Sequence, residues 1–177
     1  AVIDLFAEDM VMPTIEQAAA RSGLSLRTLY RYFPDAGSLV EAAVRRHQER
    51  YFDAAHLTHI GRGPLHERIA DLVSARVRLF ETVAPVFRAS VHNAPRLPYV
   101  AARLDDSRQR MREQFERQFA PELEALDAHA RVLVADAGDA LTQLDTIDLL
   151  ARHRGHASAD IERVLRRGLS AIFADAT

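Results

Sequence analysis

The chain has 177 residues, 48% of them hydrophobic, 27% charged and 7% aromatic, with a formal net charge of -2. That is enough apolar sequence for one large or two small cores, while seven Gly and seven Pro are too few for a turn-rich all-β fold or a disordered chain. The absence of Cys excludes disulfides, thiolate metal sites and cysteine nucleophiles.

No run approaches the roughly 18 apolar residues of a membrane span, and the opening residues do not read as a signal peptide. All 23 basic residues are Arg, and Ala is used at roughly twice its ordinary share. That bias suits a GC-rich bacterial genome, while the lack of Cys permits a reducing cytoplasm, the location expected. With so small a net charge, any DNA-binding surface has to be local.

Helical spacing runs through nearly every long segment, which predicts an all-α fold of about nine helices. The chain opens inside an apparent helix (Ala1 to Ala7), so a segment upstream is expected. Thr14 precedes an apolar-periodic run, and Gln17 follows at capping-box spacing. A helix is therefore predicted over 15–22, ended by Gly23, which accepts the left-handed backbone. Leu24 is an apolar plug, Ser25 caps the next helix, and Leu26 to Phe33 forms that helix up to Pro34. Two short helices around a tight glycine turn make a helix-turn-helix.

At about 100° per residue, Leu29 and Phe33 share the inward face of the second helix, while Arg27, Thr28 and Arg31 share another. An Arg can bind guanine O6 and N7 together, and Thr can donate to a base or pack on a thymine methyl. The Tyr30 and Tyr32 hydroxyls can reach phosphate oxygens. From Arg21 through Phe33 there are three Arg and no acid, and each phosphate neutralised releases counterions. The same pattern also suits a helical hairpin in a bundle with a solvated arginine face.

Further along, apolar stripes predict helices over 39–51, 65–83 and 99–119, with a short helix after Pro85. A long helix is predicted from Ala128 to Arg154, and after Gly155 a final helix capped by Ser158. The wide stripe of that final helix (Ile161, Val164, Leu165, Leu169, Ile172, Phe173) suits either the chain's own core or a second subunit.

Residues 15–39, with Ile15-Glu16-Gln17-Ala18-Ala19, Gly23-Leu24-Ser25-Leu26-Arg27-Thr28-Leu29-Tyr30-Arg31-Tyr32-Phe33 and Leu39, resemble the DNA-binding signature of the tetracycline-repressor (TetR) family. The match is dense over about 30 residues; beyond it only the number and layout of helices agree. The resemblance implies a DNA-binding domain over 1–46 and a helical ligand-binding and dimerisation domain over 47–177. Its two C-terminal helices would form a four-helix interface in a homodimer. It further implies that Thr14 touches phosphate, that Arg27 and Thr28 read bases, and that Leu26 meets a thymine methyl. Tyr30 and Tyr32 would hold the DNA backbone, Ser25 would stand at the interface as the cap, and Arg31 would serve either role or none.

One departure matters. The family usually opens its fourth helix with a Lys on phosphate, and Ala36 stands there, next to Asp35. Weaker non-specific binding and a shallower salt dependence are expected, although the helix N-terminus still offers N–H groups to phosphate.

A regulator of this kind responds to a small molecule. Polar residues on inward stripes nominate Arg76, His92, Asn93, Arg108 and Asp148 as ligand contacts, with Phe80, Met111 and Phe115 as apolar walls. Each also has an ordinary structural role open to it: Asp148, for instance, is spaced to pair with Arg152. An apolar pocket containing an Arg suits a hydrophobic anion. His56, His59 and His66, with Asp53, and the pair His153 and His156 read as solvated residues rather than a metal site. No glycine-rich phosphate loop, nucleophile elbow or acid–base pair occurs, so neither an enzyme nor a cofactor is expected. The rival to a ligand-released repressor on a palindromic operator is a helical ligand-binding or interaction module that has lost DNA binding.

Overall fold

The computed structural model describes residues 1–52, 56, 57 and 59–175, without the side chains of residues 48, 50 and 52. The described residues form ten α-helices and no strand. In chain order these are α1 (Val2–Asp9), α2 (Ile15–Ser22), α3 (Leu26–Tyr32), α4 (Ala36–Phe52), α5 (Leu65–Asn93) and α6 (Pro98–Gln118). Then come α7 (Ala120–Glu124), α8 (Ala128–Thr142), α9 (Leu144–Asp148), a single π-helical turn (Leu149–His153) and α10 (Ser158–Ala174). They divide into two compact units, 1–53 with 83–107 and 54–82 with 108–177.

The first unit has two adjoining apolar clusters. Phe6, Val40, Val44, Val86 and Ala89 join α1 and α4 to the end of α5. Ile15, Ala18, Ala19, Leu29 and Leu39 join α2, α3 and α4. Small residues at 18 and 19 let α3 approach α2 closely, and the buried Leu29 fixes which side of α3 remains in water. The α1 helix ends on Met10, whose left-handed backbone (φ 57°) is unusual for a non-glycine residue. The buried Asn93 side chain supports that bend, its Nδ2 donating to Met10 O (2.9 Å) and Ala89 O (2.8 Å).

The core of the second unit includes three phenylalanine rings. Phe119 lies 4.8 Å from Phe115 and 4.7 Å from Phe173, centroid to centroid. Ile161, Leu165, Leu169 and Phe173 supply the buried stripe of α10, so most of the wide apolar face of the last helix serves this unit's own core. Arg68 is 3% exposed and is satisfied by Gly63 O, Gln118 O and the Glu122 carboxylate.

Three expectations about the helices need correction. Pro85 does not separate two helices but lies inside the 29-residue α5. A proline removes one N–H from the ladder, here the bond to the carbonyl of Glu81; both residues are exposed. Ala84 and Val86 on either side are buried, and packing carries the helix through.

The expected helix over 128–154 is broken at Gln143, which is extended (φ -67°, ψ 152°) and separates α8 from α9. The fully buried Thr142 turns its hydroxyl back to Gly138 O (3.0 Å), and Gln143 Nε2 bonds the Asp139 carboxylate (2.8 Å). Such local side-chain bonds compete with helix continuation. The break also re-phases the stripe, so Leu144 and Ile147 are buried while Leu133 is exposed.

Finally, Ser158 does not cap α10. Ala157 holds the cap position, and the Ser158 hydroxyl bonds Glu81.

Candidate nucleic-acid interface

The turn between α2 and α3 is built by local chemistry. Thr14 Oγ1 accepts the Gln17 N–H (3.2 Å), while Gln17 Oε1 accepts the Thr14 N–H (2.8 Å), closing a reciprocal capping box. Gly23 takes φ 73° and returns its N–H to Ala19 O (2.9 Å). Ser25 then caps α3 through the Thr28 N–H (3.1 Å), and its hydroxyl also meets Thr28 Oγ1 (2.8 Å). Ser25 is thus a capping residue that ties the Thr28 side chain.

With Leu29 buried, α3 turns a polar and aromatic surface to water. Leu26 is 43% exposed, Tyr30 51% and Tyr32 65%. Arg27 is exposed, and among the described residues no hydrogen bond or ion pair holds it. Arg31 is used locally: its Nη2 donates to the Tyr32 hydroxyl (2.8 Å), and its guanidinium lies 4.7 Å from the centre of that ring. The Tyr32 oxygen therefore accepts from Arg31 and keeps its own proton for another acceptor.

Two acids reach this surface from elements that spacing alone did not connect to it. Arg21 pairs with Glu8 of α1, so one of the three expected basic groups is already compensated. The Tyr30 hydroxyl donates to Glu16 Oε1 (3.1 Å). Glu16 is held below the usual carboxylate range, first by its own backbone N–H and then by the Thr14 and Tyr30 hydroxyls. The same bond, with the charge behind it, raises the Tyr30 phenol above its ordinary value.

The N-terminus of α4 also differs from expectation. Asp35 Oδ1 accepts the Ser38 N–H at 2.7 Å, so the carboxylate already occupies a position where a phosphate would sit.

The expected ligand residues divide between the two units. His92 and Asn93 belong to the first unit; His92 is exposed, and Asn93 braces the end of α1. The other six belong to the second unit. Phe80, Met111 and Phe115 are buried there as core, Arg108 pairs with Asp145 across 2.9 Å, and Asp148 pairs with Arg152 across 3.7 Å. A cleft of about 400 Å³ beside α1 and α4 is lined by Asp4, Arg46, His47 and Tyr51 among others. Another of about 270 Å³ is lined by residues including Arg112, Glu116, Arg131 and Val132. Neither includes any of the eight expected residues.

Arg76 is the unusual member of that set. It is fully buried, with Nη1 on Gln114 Oε1 (2.6 Å) and Nη2 on Met111 O (2.8 Å), both neutral acceptors, and its Nε finds no partner among the described residues. Burial lowers its pKa to about 10, the Asp139 charge opposing that shift. Asp139 is itself raised, chiefly by burial.

Among the described residues no three His, Asp or Glu side chains converge on a common metal position. Asp53 lies outside the described residues. Among the described residues, no helix is long and apolar enough to cross a membrane.

The class these features define is an all-α chain whose first unit carries two capped short helices around a glycine turn, with one unencumbered Arg on the exposed side of the second. Comparison with protein-family models, curated proteins and solved structures gives no match.

Proposed function

We propose that the chain is a sequence-specific, DNA-binding transcriptional regulator of the kind the TetR resemblance implies: a repressor that leaves a palindromic operator when a small molecule binds. The observation that carries this reading is α3. It is fixed inward by Leu29 and capped by Ser25, and it turns Leu26, Arg27, Tyr30 and Tyr32 outward together. On this reading the start of α3 enters the major groove, Arg27 binds a guanine edge, and Leu26 packs on a thymine methyl. Thr28 adds its methyl, its hydroxyl being shared with Ser25. Thr14 and Tyr32 hold phosphates on either side.

Two half-sites about 34–36 Å apart require two copies of the chain. The exposed Val132, Leu133 and Val164 on α8 and α10, with Leu149 on the π-helical turn, support a homodimer through that end. The effector acts by preferring a state in which the two α3 helices no longer match that spacing. A cytoplasmic location follows from the function proposed.

A second reading, an interaction or ligand-binding module without DNA binding, is favoured by the thin positive charge: Ala36 supplies no cation, Asp35 caps α4, and Glu8 compensates Arg21. Arg27→Ala separates the two. Under the first reading it weakens binding to a selected duplex by roughly 10–100-fold with the helical circular dichroism unchanged. A variant that binds the duplex as well as the parent sinks the first reading.

A further inference from the structure

The Tyr30 hydroxyl has one proton, and that proton is committed to Glu16 Oε1 at 3.1 Å. The Tyr32 hydroxyl, two residues on, is an acceptor from Arg31 and has its proton to give. The two tyrosines, equivalent in sequence, are therefore opposite in readiness toward a phosphate oxygen.

Both Glu16 and Tyr30 are exposed, so nothing in the packing forces them together. The pairing brings α2 to α3 across 14 residues of sequence. The geometry points to Glu16 as a built-in competitor of DNA: it occupies the Tyr30 hydroxyl in the free protein, and the phosphodiester backbone must displace it before Tyr30 can hold the duplex. The inference rests on the DNA-binding reading above. It adds a residue that lowers affinity by holding a contact, which differs from mere repulsion because it acts through one named hydrogen bond.

Repulsion and competition separate in a double-mutant cycle on the full chain, with a scrambled duplex as probe at fixed salt. Removing the competitor by Glu16→Ala tightens binding about tenfold. In a Tyr30→Phe background the same change gives no more than about threefold, the share due to the lost charge alone. Equal gains in both backgrounds overturn the competition and leave simple repulsion.

A second readout needs no DNA. Carbon NMR of labelled tyrosine rings follows the Tyr30 phenol, assigned by its loss in Tyr30→Phe. Its titration falls toward the ordinary tyrosine value in Glu16→Ala, and an unchanged titration refutes the pairing. If the unaltered chain binds no duplex, the DNA-binding reading fails and takes the competition with it, while the titration still reports whether the pair exists.

Discussion

A β-carbon placed on Gly138 would stand 2.2 Å from Cζ of Phe115 and 2.8 Å from Cε2, so α8 meets α6 where only a hydrogen fits. The ring cannot swing aside freely, because Phe119 and Phe173 pack around it with centroid distances of 4.8 and 6.4 Å. Gly168 meets Leu141 in the same manner, a β-carbon there falling 2.5 Å from Cδ2. Glycine inside a helix ordinarily costs about 1 kcal/mol relative to alanine. Overpacking a filled core costs about 1–3 kcal/mol. Gly138→Ala is therefore expected to destabilise by about 0–2 kcal/mol net, read as a fall in the urea midpoint. A rise in that midpoint would show that the core yields at Phe115.

Arg76 makes a prediction in pH. Its folded value of about 10 lies below the ordinary guanidinium range, so between the two the native state binds fewer protons than the unfolded chain. Stability then increases with pH across that window. The cost of burying the charge, about 3 kcal/mol at most, is present in full below pH 10 and fades above it. Arg76→Met removes that cost together with two hydrogen bonds to neutral acceptors. The variant should stay within about 1 kcal/mol of the parent near neutrality, or exceed it. Its standing relative to the parent should hold up to about pH 10 and decline as pH rises above that value. Denaturant titrations at several pH values test this, and a relative gain for the variant on raising pH would reverse the assigned sign.

Asp35 caps α4 and sets a negative charge near the expected phosphate path. Asp35→Ser keeps a capping oxygen and removes that charge, so stability should change by less than about 1 kcal/mol. Affinity for a scrambled duplex at low salt should increase by roughly threefold and the gain should shrink as salt is added. An unchanged low-salt affinity would place DNA elsewhere than beside α4.

What could be read from the sequence was set by distance along the chain. The capping box of Thr14 and Gln17, the Gly23 turn and the Ser25 cap each depend on residues within four positions of one another, and each lies where spacing put it. The all-α class and the buried stripes of α4, α5 and α6 follow equally directly from periodicity. The contacts that adjust the candidate site do not: Arg21 to Glu8 spans 13 residues, Tyr30 to Glu16 spans 14, and Asn93 to Met10 spans 83. No local pattern encodes such pairs. The break at Gln143 has no local signature for a related reason, since Leu141, Leu144 and Ile147 keep helical spacing while the backbone between them turns. At Pro85 the local rule was outweighed by burial on both sides, an ordinary case of tertiary packing overriding propensity.

The most direct test of the central claim is selection of binding sites from a random duplex pool with the full chain at moderate salt. Affinity for the enriched sequence is then compared with that for scrambled DNA, for the parent and for Arg27→Ala. A DNA-binding regulator should yield an enriched palindrome with half-sites about one helical turn apart, bound at least ~1,000-fold more tightly than scrambled DNA. Arg27→Ala should erase most of that ratio. Weak binding with no enriched sequence would refute sequence-specific DNA binding.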